Sequence, residues 1–370
     1  MNRDLQAEAA SAIPVTILTG FLGSGKTTML NHLLVQPELK DAAVLINEFG
    51  DVAIDHLLVK QVAEDVVLLD SGCLCCTVRG DLVDAMRELF VKRVRGDVPE
   101  FHRVVIETTG LADPAPIIHT LMTDPLLAAR YRLDGLVCTV DCVNGLTCLD
   151  TNKESVKQAA MADRLVLTKL DLADPTKVEQ LRARLAELNP GALMVPAAQG
   201  RVPPVEILDC GLFDGSKHGP DVQRWLNEEA YADDHVCGPD CDHGHGFKPR
   251  KKKAGHGHIQ AARHDDSVSS FVITYDEPVA WQGLALALEF LISTRGENLL
   301  RVKGIVNAKE SDEPLIIHGV QHMFYPVVPL PEWPDDDRRT RIVFITRDLP
   351  QDAIETLLAH ALAEEEEAGA

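Results

Sequence analysis

Residues 20–28 read GFLGSGKTT, which puts Gly20, Gly25, Lys26 and Thr27 at the spacing G-x-x-x-x-G-K-T. Glycines at such points let backbone amides curl around a phosphate, and a helix that starts there turns its positive end on the same place. Gly20, Phe21, Leu22, Gly23, Ser24 and Gly25 would then form the cradle, with Thr28 at its rim. Lys26 would reach the terminal phosphates as a point charge, and the Thr27 hydroxyl would hold Mg²⁺. The flanks separate this from an ordinary glycine-rich turn. The apolar, β-branched run IPVTILT precedes the loop, and MLNHLLV follows with helical spacing. The pattern predicts a bound nucleotide.

The segment TKLD, Thr168 to Asp171, ends a run with strand character and resembles the guanine-reading N-K-x-D loop. Asp171 would accept hydrogen bonds from the N1 and N2 donors of guanine. Adenine lacks that pair and would leave the carboxylate unmatched. The Lys169 stem would lie along the base, whereas Thr168 stands in place of Asn and loses an amide that braces neighbouring loops. GTP is therefore the expected nucleotide. The segment ETTG, Glu107 to Gly110, ends another strand with an acid and a glycine-containing switch. Glu107 would hold Mg²⁺ through water or orient the attacking water, and the Gly110 amide would face a γ-phosphate. Glu48, Asp51 and Asp55 lie in an earlier acidic loop, NEFGDVAIDH, and are further candidates for Mg²⁺ or water. Asp55 reads equally well as a solvated loop acid.

Cys73, Cys75 and Cys76 form C-x-C-C between those two loops. Thiolates select Zn²⁺ or Cu(I) over Mg²⁺, and three protein ligands leave a tetrahedral ion one open position. Glu48 is a candidate fourth ligand. Because the motif sits between two switch-like loops, nucleotide state and metal affinity are expected to influence each other. A second ligand set, Cys237, Cys241, His243 and His245, lies in a stretch that holds seven of the fourteen histidines; His256 and His258 repeat its HGH unit. Cys138, Cys142 and Cys148 read as core packing. The basic run KPRKKK, residues 248–253, reads as solvated, because 57 acidic against 36 basic residues give a net charge of −21 and argue against a nucleic-acid surface.

Positioning these residues takes alternating strands and helices. AAVLI (42–46), VVLLD (66–70), RVVIE (103–107), and runs starting at Leu133 and Arg164 join IPVTILT as short buried-type strands, with MVPAAQG (194–200) as the last strand and loop. The expected fold class is α/β, a P-loop NTPase-type, mostly parallel sheet with helices on both faces, followed by a small α+β domain. In such a sheet the loops at the carboxyl ends of the strands converge on one site. The expected boundaries are 1–215 for the nucleotide domain, 216–266 for a flexible His/Cys-rich insert, and 267–370 for the second domain. That domain is read as strand, helix, strands, helix, with the closing EEEEAGA as a frayed tail. With 45% hydrophobic residues the chain can build real cores. No apolar run long enough for a membrane span or a secretory signal is seen, so a reducing cytoplasm is the expected setting.

Taken together, GFLGSGKTT, NEFGDVAIDH, the C-x-C-C segment, ETTGLADPAPII, YRLDGLVCTVD, TKLDL, LLRVKGIVN and IIHGVQHMFYP resemble the CobW family of phosphate-loop GTPases, and most closely its YjiA-like branch. The resemblance covers nearly the whole chain except the insert. It implies a GTPase domain followed by a CobW C-terminal domain, and kinship with UreG and HypB, which load metals into enzymes. It further implies a metallochaperone, often for zinc, with GTP, Mg²⁺ and Zn²⁺ as its small-molecule complement. A client metalloprotein would be its partner, and neither nucleic acid nor membrane is expected; a homodimer is compatible with the pattern. Two other readings fit the ligands: a zinc buffer or sensor with nucleotide-tuned affinity, and an activator that inserts cobalt or iron, since ligand type alone does not exclude Co²⁺.

Overall fold

The computed structural model describes residues 12–46, 67–70, 78–210 and 268–368, with the backbone alone for 67–70, 78–81 and 364–368. The first part alternates strands and helices. Strands β1 (Ile13–Gly20), β2 (Ala42–Ile46), β3 (Val67–Asp70), β4 (Arg103–Glu107), β5 (Tyr131–Asp141), β6 (Arg164–Thr168) and β7 (Leu193–Pro196) are all paired in parallel, in the order β3-β2-β4-β1-β5-β6-β7. Between them run helices α1 (Lys26–Leu34), α2 (Val78–Arg95), α3 (Ala115–Thr123), α4 (Pro125–Ala128), α5 (Gly145–Thr151), α6 (Lys153–Met161), α7 (Pro175–Leu188) and α8 (Pro204–Ile207).

Burial on both faces explains the continuous apolar runs. Along β4, Val104 and Ile106 pack into the core under α2, α3 and α6, while Val105 faces the core under α1. Leu165 and Leu167 of β6 face the first core and Val166 the second. Strand β5 begins at Tyr131, two residues before the expected Leu133, because the Tyr131 ring is buried and its hydroxyl donates to the Met86 carbonyl of α2 at 3.0 Å.

The second part holds β8 (Val268–Tyr275), α9 (Trp281–Arg295), β9 (Leu299–Val306), β10 (Leu315–Val320), β11 (Met323–Phe324), β12 (Val328–Pro329), β13 (Thr340–Arg347) and α10 (Gln351–Ala368). Its sheet runs β11-β10-β9-β13-β8, with β12 also on β10, and every pairing is antiparallel. The expected frayed tail is a correction: α10 continues through the acidic run to Ala368. Glutamate is a good helix former, and here that propensity prevails over the unfavourable placement of acids at a helix C-terminus. Among the described residues, no helix is long and apolar enough to cross a membrane.

The two sheets share a core. Leu300, Val320 and Ile345 of the second part join the cluster that contains Ala159, Ala160, Met161 and Ala162. At its centre Asp163, just before β6, receives Lys303 at 3.0 Å and Arg301, and its other oxygen accepts the Leu136 amide at 2.9 Å. Arg301 and Lys303 lie two apart on β9 and so share a face, while Val302 and Val306 face α9 and α10. Burial alone would raise the Asp163 carboxyl, but Arg301 and Lys303 outweigh it and hold it far below the usual carboxylate range. Lys303 is drawn the other way, down to about 8, by burial and by its neighbour Arg301, because two cations share one carboxylate. Burial and Arg301 likewise keep His318, stacked on Tyr325 at 4.2 Å between ring centroids, well below its ordinary value.

Asp163→Asn would leave two buried cations without their counter-charge, and is expected to cost about 3–5 kcal/mol, read as a drop in urea midpoint. The pH dependence has a defined sign. A carboxyl depressed on folding contributes fully above its unfolded value of about 3.9, and loses that contribution as pH falls below it. The gap between wild type and Asp163→Asn should therefore narrow in acid.

Candidate nucleotide site

Strand β1 is fully covered, lying between β4 and β5, and delivers the loop 20–25 at its carboxyl end. Gly20, Gly23 and Gly25 have φ of 138, 70 and 97°. At Gly20 the need for glycine is also steric, since a Cβ there would lie 2.4 Å from the Thr139 carbonyl oxygen. Thr139 on β5 further pins the loop, its Oγ1 lying 2.6 Å from Ser24 Oγ. Gly25 caps α1 in a left-handed conformation and supplies no side chain to the first-turn amides, which leaves them to face an anion. Lys26 is buried, and its ammonium donates to the Gly20 carbonyl at 2.9 Å and the Phe21 carbonyl at 3.3 Å, so the charge is held over the loop. Leu22, Gly23 and Thr28 are exposed along the rim.

The acid arrives from β4. Glu107 is buried, and its Oε1 accepts the Thr27 hydroxyl at 2.7 Å. Two hard oxygen ligands, separated by 80 residues in sequence, thus meet at the start of α1. This donor set fits Mg²⁺, which takes oxygen ligands and keeps waters beside one or two protein groups. The loop after Glu107 is knitted to β1: the Thr108 amide donates to the Leu18 carbonyl at 2.9 Å, and the Thr108 hydroxyl to Thr19 Oγ1 at 3.0 Å. Gly110 then packs onto the phosphate loop itself, where a Cβ would sit 2.6 Å from the Leu22 nitrogen.

On the other side, Thr168 ends β6 and is buried. Its hydroxyl donates to the Ser24 carbonyl at 2.6 Å. Thr168 lacks the amide of Asn, as expected, yet its shorter hydroxyl makes a link of its own from the loop after β6 to residues 20–25. Thr168→Val keeps the shape but strands a buried carbonyl. It is expected to lower stability by about 1–3 kcal/mol in thermal melts, with Thr168→Ser close to wild type. Lys169 adopts φ 56° and its ammonium donates to Asp141 Oδ2 at 2.9 Å, which lays its stem across the end of β5. Burial would raise the Asp141 carboxyl, but the Lys169 bond, the Val143 amide and the Asn144 side chain outweigh it and lower it. Asp171 is exposed in the turn beyond.

One wall had no role assigned from sequence. The loop after β7 carries Gln199 and Gly200 at φ 54 and 78°, and packs over α1, where a Cβ on Gly200 would sit 2.9 Å from Thr28 Cγ2. The pair of small residues before Gln199–Gly200, at the end of the last parallel strand, was the available signal.

Glu48, Asp51, Asp55, Cys73, Cys75, Cys76, Cys237, Cys241, His243, His245, His256, His258 and the basic run 248–253 lie outside the described residues. Among the described residues, no group of three or more His, Cys, Asp or Glu side chains is placed to hold a metal. Cys138 and Cys142 are buried in the core, and burial pushes their thiols up to about 12 and about 11. Cys148 departs from the core reading: it is half-buried on α5.

Comparison with known proteins places both parts. Residues 14–196 match the CobW/HypB/UreG nucleotide-binding domain, and residues 268–362 match the cobalamin synthesis protein cobW C-terminal domain. The zinc chaperone YjiA of Escherichia coli K12 is 33% identical over 347 residues, spanning 94% of this chain and 98% of YjiA. The chain belongs to the CobW family. Other members include the zinc chaperone CobW of Pseudomonas aeruginosa, 31% identical over 394 residues, covering 98% of this chain and 95% of that protein. The zinc-regulated GTPase metalloprotein activator 1 of Schizosaccharomyces pombe is 30% identical over 359 residues, covering 91% and 83%. Among solved CobW-family structures, the Zn(II)-bound YjiA GTPase from E. coli superposes with a TM-score of 0.66 at 28% identity, covering 95% of this chain and 99% of that one.

Proposed function

We propose that this GTPase of the CobW family couples GTP hydrolysis to the carriage of Zn²⁺ and its release to a client metalloprotein. The observation that carries the reading is the meeting of Thr27 and Glu107 under a phosphate loop against which Gly110 is packed. A γ-phosphate between Lys26 and Gly110 would be contacted by the loop and by the switch at once. Its loss on hydrolysis would free the switch. Mg²⁺, held through Thr27 and water near Glu107, would neutralise charge developing on the transferred phosphoryl group. Lys26 would steady the same oxygens, Glu107 would position water, and Asp171 with Lys169 would select guanine. The names of the zinc chaperones and of the zinc-regulated activator support zinc as the cargo.

The cargo would sit on Cys73, Cys75 and Cys76, with Glu48 as the exchangeable ligand; Cys237, Cys241, His243 and His245 would supply a second, looser set. Transfer driven this way requires the GTP and GDP states to differ in Zn²⁺ affinity by about 1–3 kcal/mol. The test is competition titration of Zn²⁺ against a chelator with GDP, GTP and a non-hydrolysable analogue. Tighter binding in the triphosphate states supports the coupling, whereas equal affinity in all three removes it and leaves a zinc buffer.

A further inference from the structure

The C-terminal half of helix α6 grips the ETTG loop, and the helix end is itself gripped by the C-terminal domain. Gln158 is 1% exposed, and its Nε2 donates to the Ala112 carbonyl at 2.9 Å and the Gly110 carbonyl at 3.3 Å. The adjacent Lys157 pairs with Asp113, which in turn accepts the Ala115 amide at 3.0 Å where α3 begins. Gly110 is thus fixed from two sides: the Leu22 backbone leaves no room for even a methyl group, and the Gln158 amide holds its carbonyl. Packing alone gives no reason for an amide here. Val156, Ala159 and Ala160 beside it are core residues, and a buried amide is costly unless its hydrogen bonds are made; the Nε2 bonds are made, while Oε1 accepts none among the described residues.

Three residues on, at the end of α6, the Met161 carbonyl accepts Arg301 from β9, and Asp163 pairs with the same guanidinium. Asn189 fastens that end further, donating to the Ala159, Ala160 and Ala162 carbonyls at 2.9–3.1 Å. The helix is nine residues long, and its last turn, from Gln158 to Met161, carries the ties to both the ETTG loop and β9. Resting on the GTPase reading above, we propose that Gln158 is a positioning residue for GTP turnover, holding Gly110 against the phosphate loop. Through α6, Arg301 ties that position to the C-terminal domain. The catalytic groups remain those of the loop and Glu107; Gln158 acts only through Gly110.

Gln158→Met preserves length and apolar volume but removes both donors. In the full-length protein, kcat for GTP should fall about tenfold, as expected for losing the hydrogen bond that holds the Gly110 carbonyl, with KM within threefold. The preference for a non-hydrolysable GTP analogue over GDP should shrink by a similar factor, since only the triphosphate meets Gly110. Gln158→Asn, which keeps the amide but withdraws it by one methylene from both carbonyls, should lose the same preference. Arg301→Met should change kcat in the same direction, and the double variant should be less than additive. Folded Gln158→Met with wild-type kcat and preference overturns the proposal. If Gln158→Met does not fold, Gln158→Asn is read the same way, and wild-type values there overturn the proposal. Strict additivity with Arg301→Met overturns the link to the second domain. If the wild type shows no turnover, the GTPase reading falls, and the nucleotide preference alone decides for or against Gln158.

Discussion

Lys26→Ala is expected to lower GTP turnover by a factor on the order of 10²–10³ at saturating GTP and Mg²⁺, measured as phosphate release. The ammonium is buried and held by the Gly20 and Phe21 carbonyls, so it sits over the loop where phosphate charge would gather. A charge placed in advance costs no reorganisation during reaction, which is why its loss falls mainly on the rate. Affinity for GTP should drop more than affinity for GDP, because the missing cation faces the terminal phosphates. Lys26→Arg should rescue poorly: the planar guanidinium is bulkier and lacks the compact point charge that a tight loop accommodates. The fold itself rests on β1 and its neighbours, so circular dichroism should be unchanged. Turnover within threefold of wild type would show that the phosphate loop is not where hydrolysis occurs.

Asp171→Asn should redirect the site from guanine to xanthine. Guanine offers two donors, N1–H and the 2-amino group, and a carboxylate accepts both. An amide has one acceptor and one donor, so its NH₂ would confront the 2-amino group. Xanthine carries a carbonyl at that carbon and restores the match. A site built around such a pair rejects the unmatched partner by up to about 10⁴-fold. Asp171 is exposed in its turn, and water competition at the rim places the expected loss of GTP affinity nearer 10²-fold. Titration with fluorescent GTP and competition by XTP measure both halves. An unchanged GTP:XTP ratio would mean that another group reads the base.

Much of this architecture was legible because it is written locally. Three glycines with a lysine and a threonine announce their loop, and runs such as RVVIE and RLVLT announce buried strands whose carboxyl ends meet. The contacts that tie the loops together were not legible, since they join residues far apart in the chain. Thr168 reads as a weakened motif until its hydroxyl is seen on the Ser24 carbonyl, 144 residues away. Gln158 sits in SVKQAAM among small apolar neighbours, and helical spacing says only that its face is buried. A polar residue in that row was a signal, but its partners Gly110 and Ala112 lie 46–48 residues back. The closing acids were misread for a different reason: charge suggested solvation, while helix propensity decided the backbone.

The apolar cluster that runs from α6 into Leu300, Val320 and Ile345 has a thermodynamic consequence. Unfolding either half would expose that shared cluster, while the second part also keeps a core of its own under α9 and α10, so the two are expected to be coupled in stability. A ligand that favours the native state adds RT ln(1 + [L]/Kd) to whatever unfolds with its site, about 2.7 kcal/mol at one hundred times its Kd. Nucleotide bound at residues 20–28 would therefore be expected to raise the protection of the antiparallel sheet from β8 to β13 as well, to the extent of that coupling.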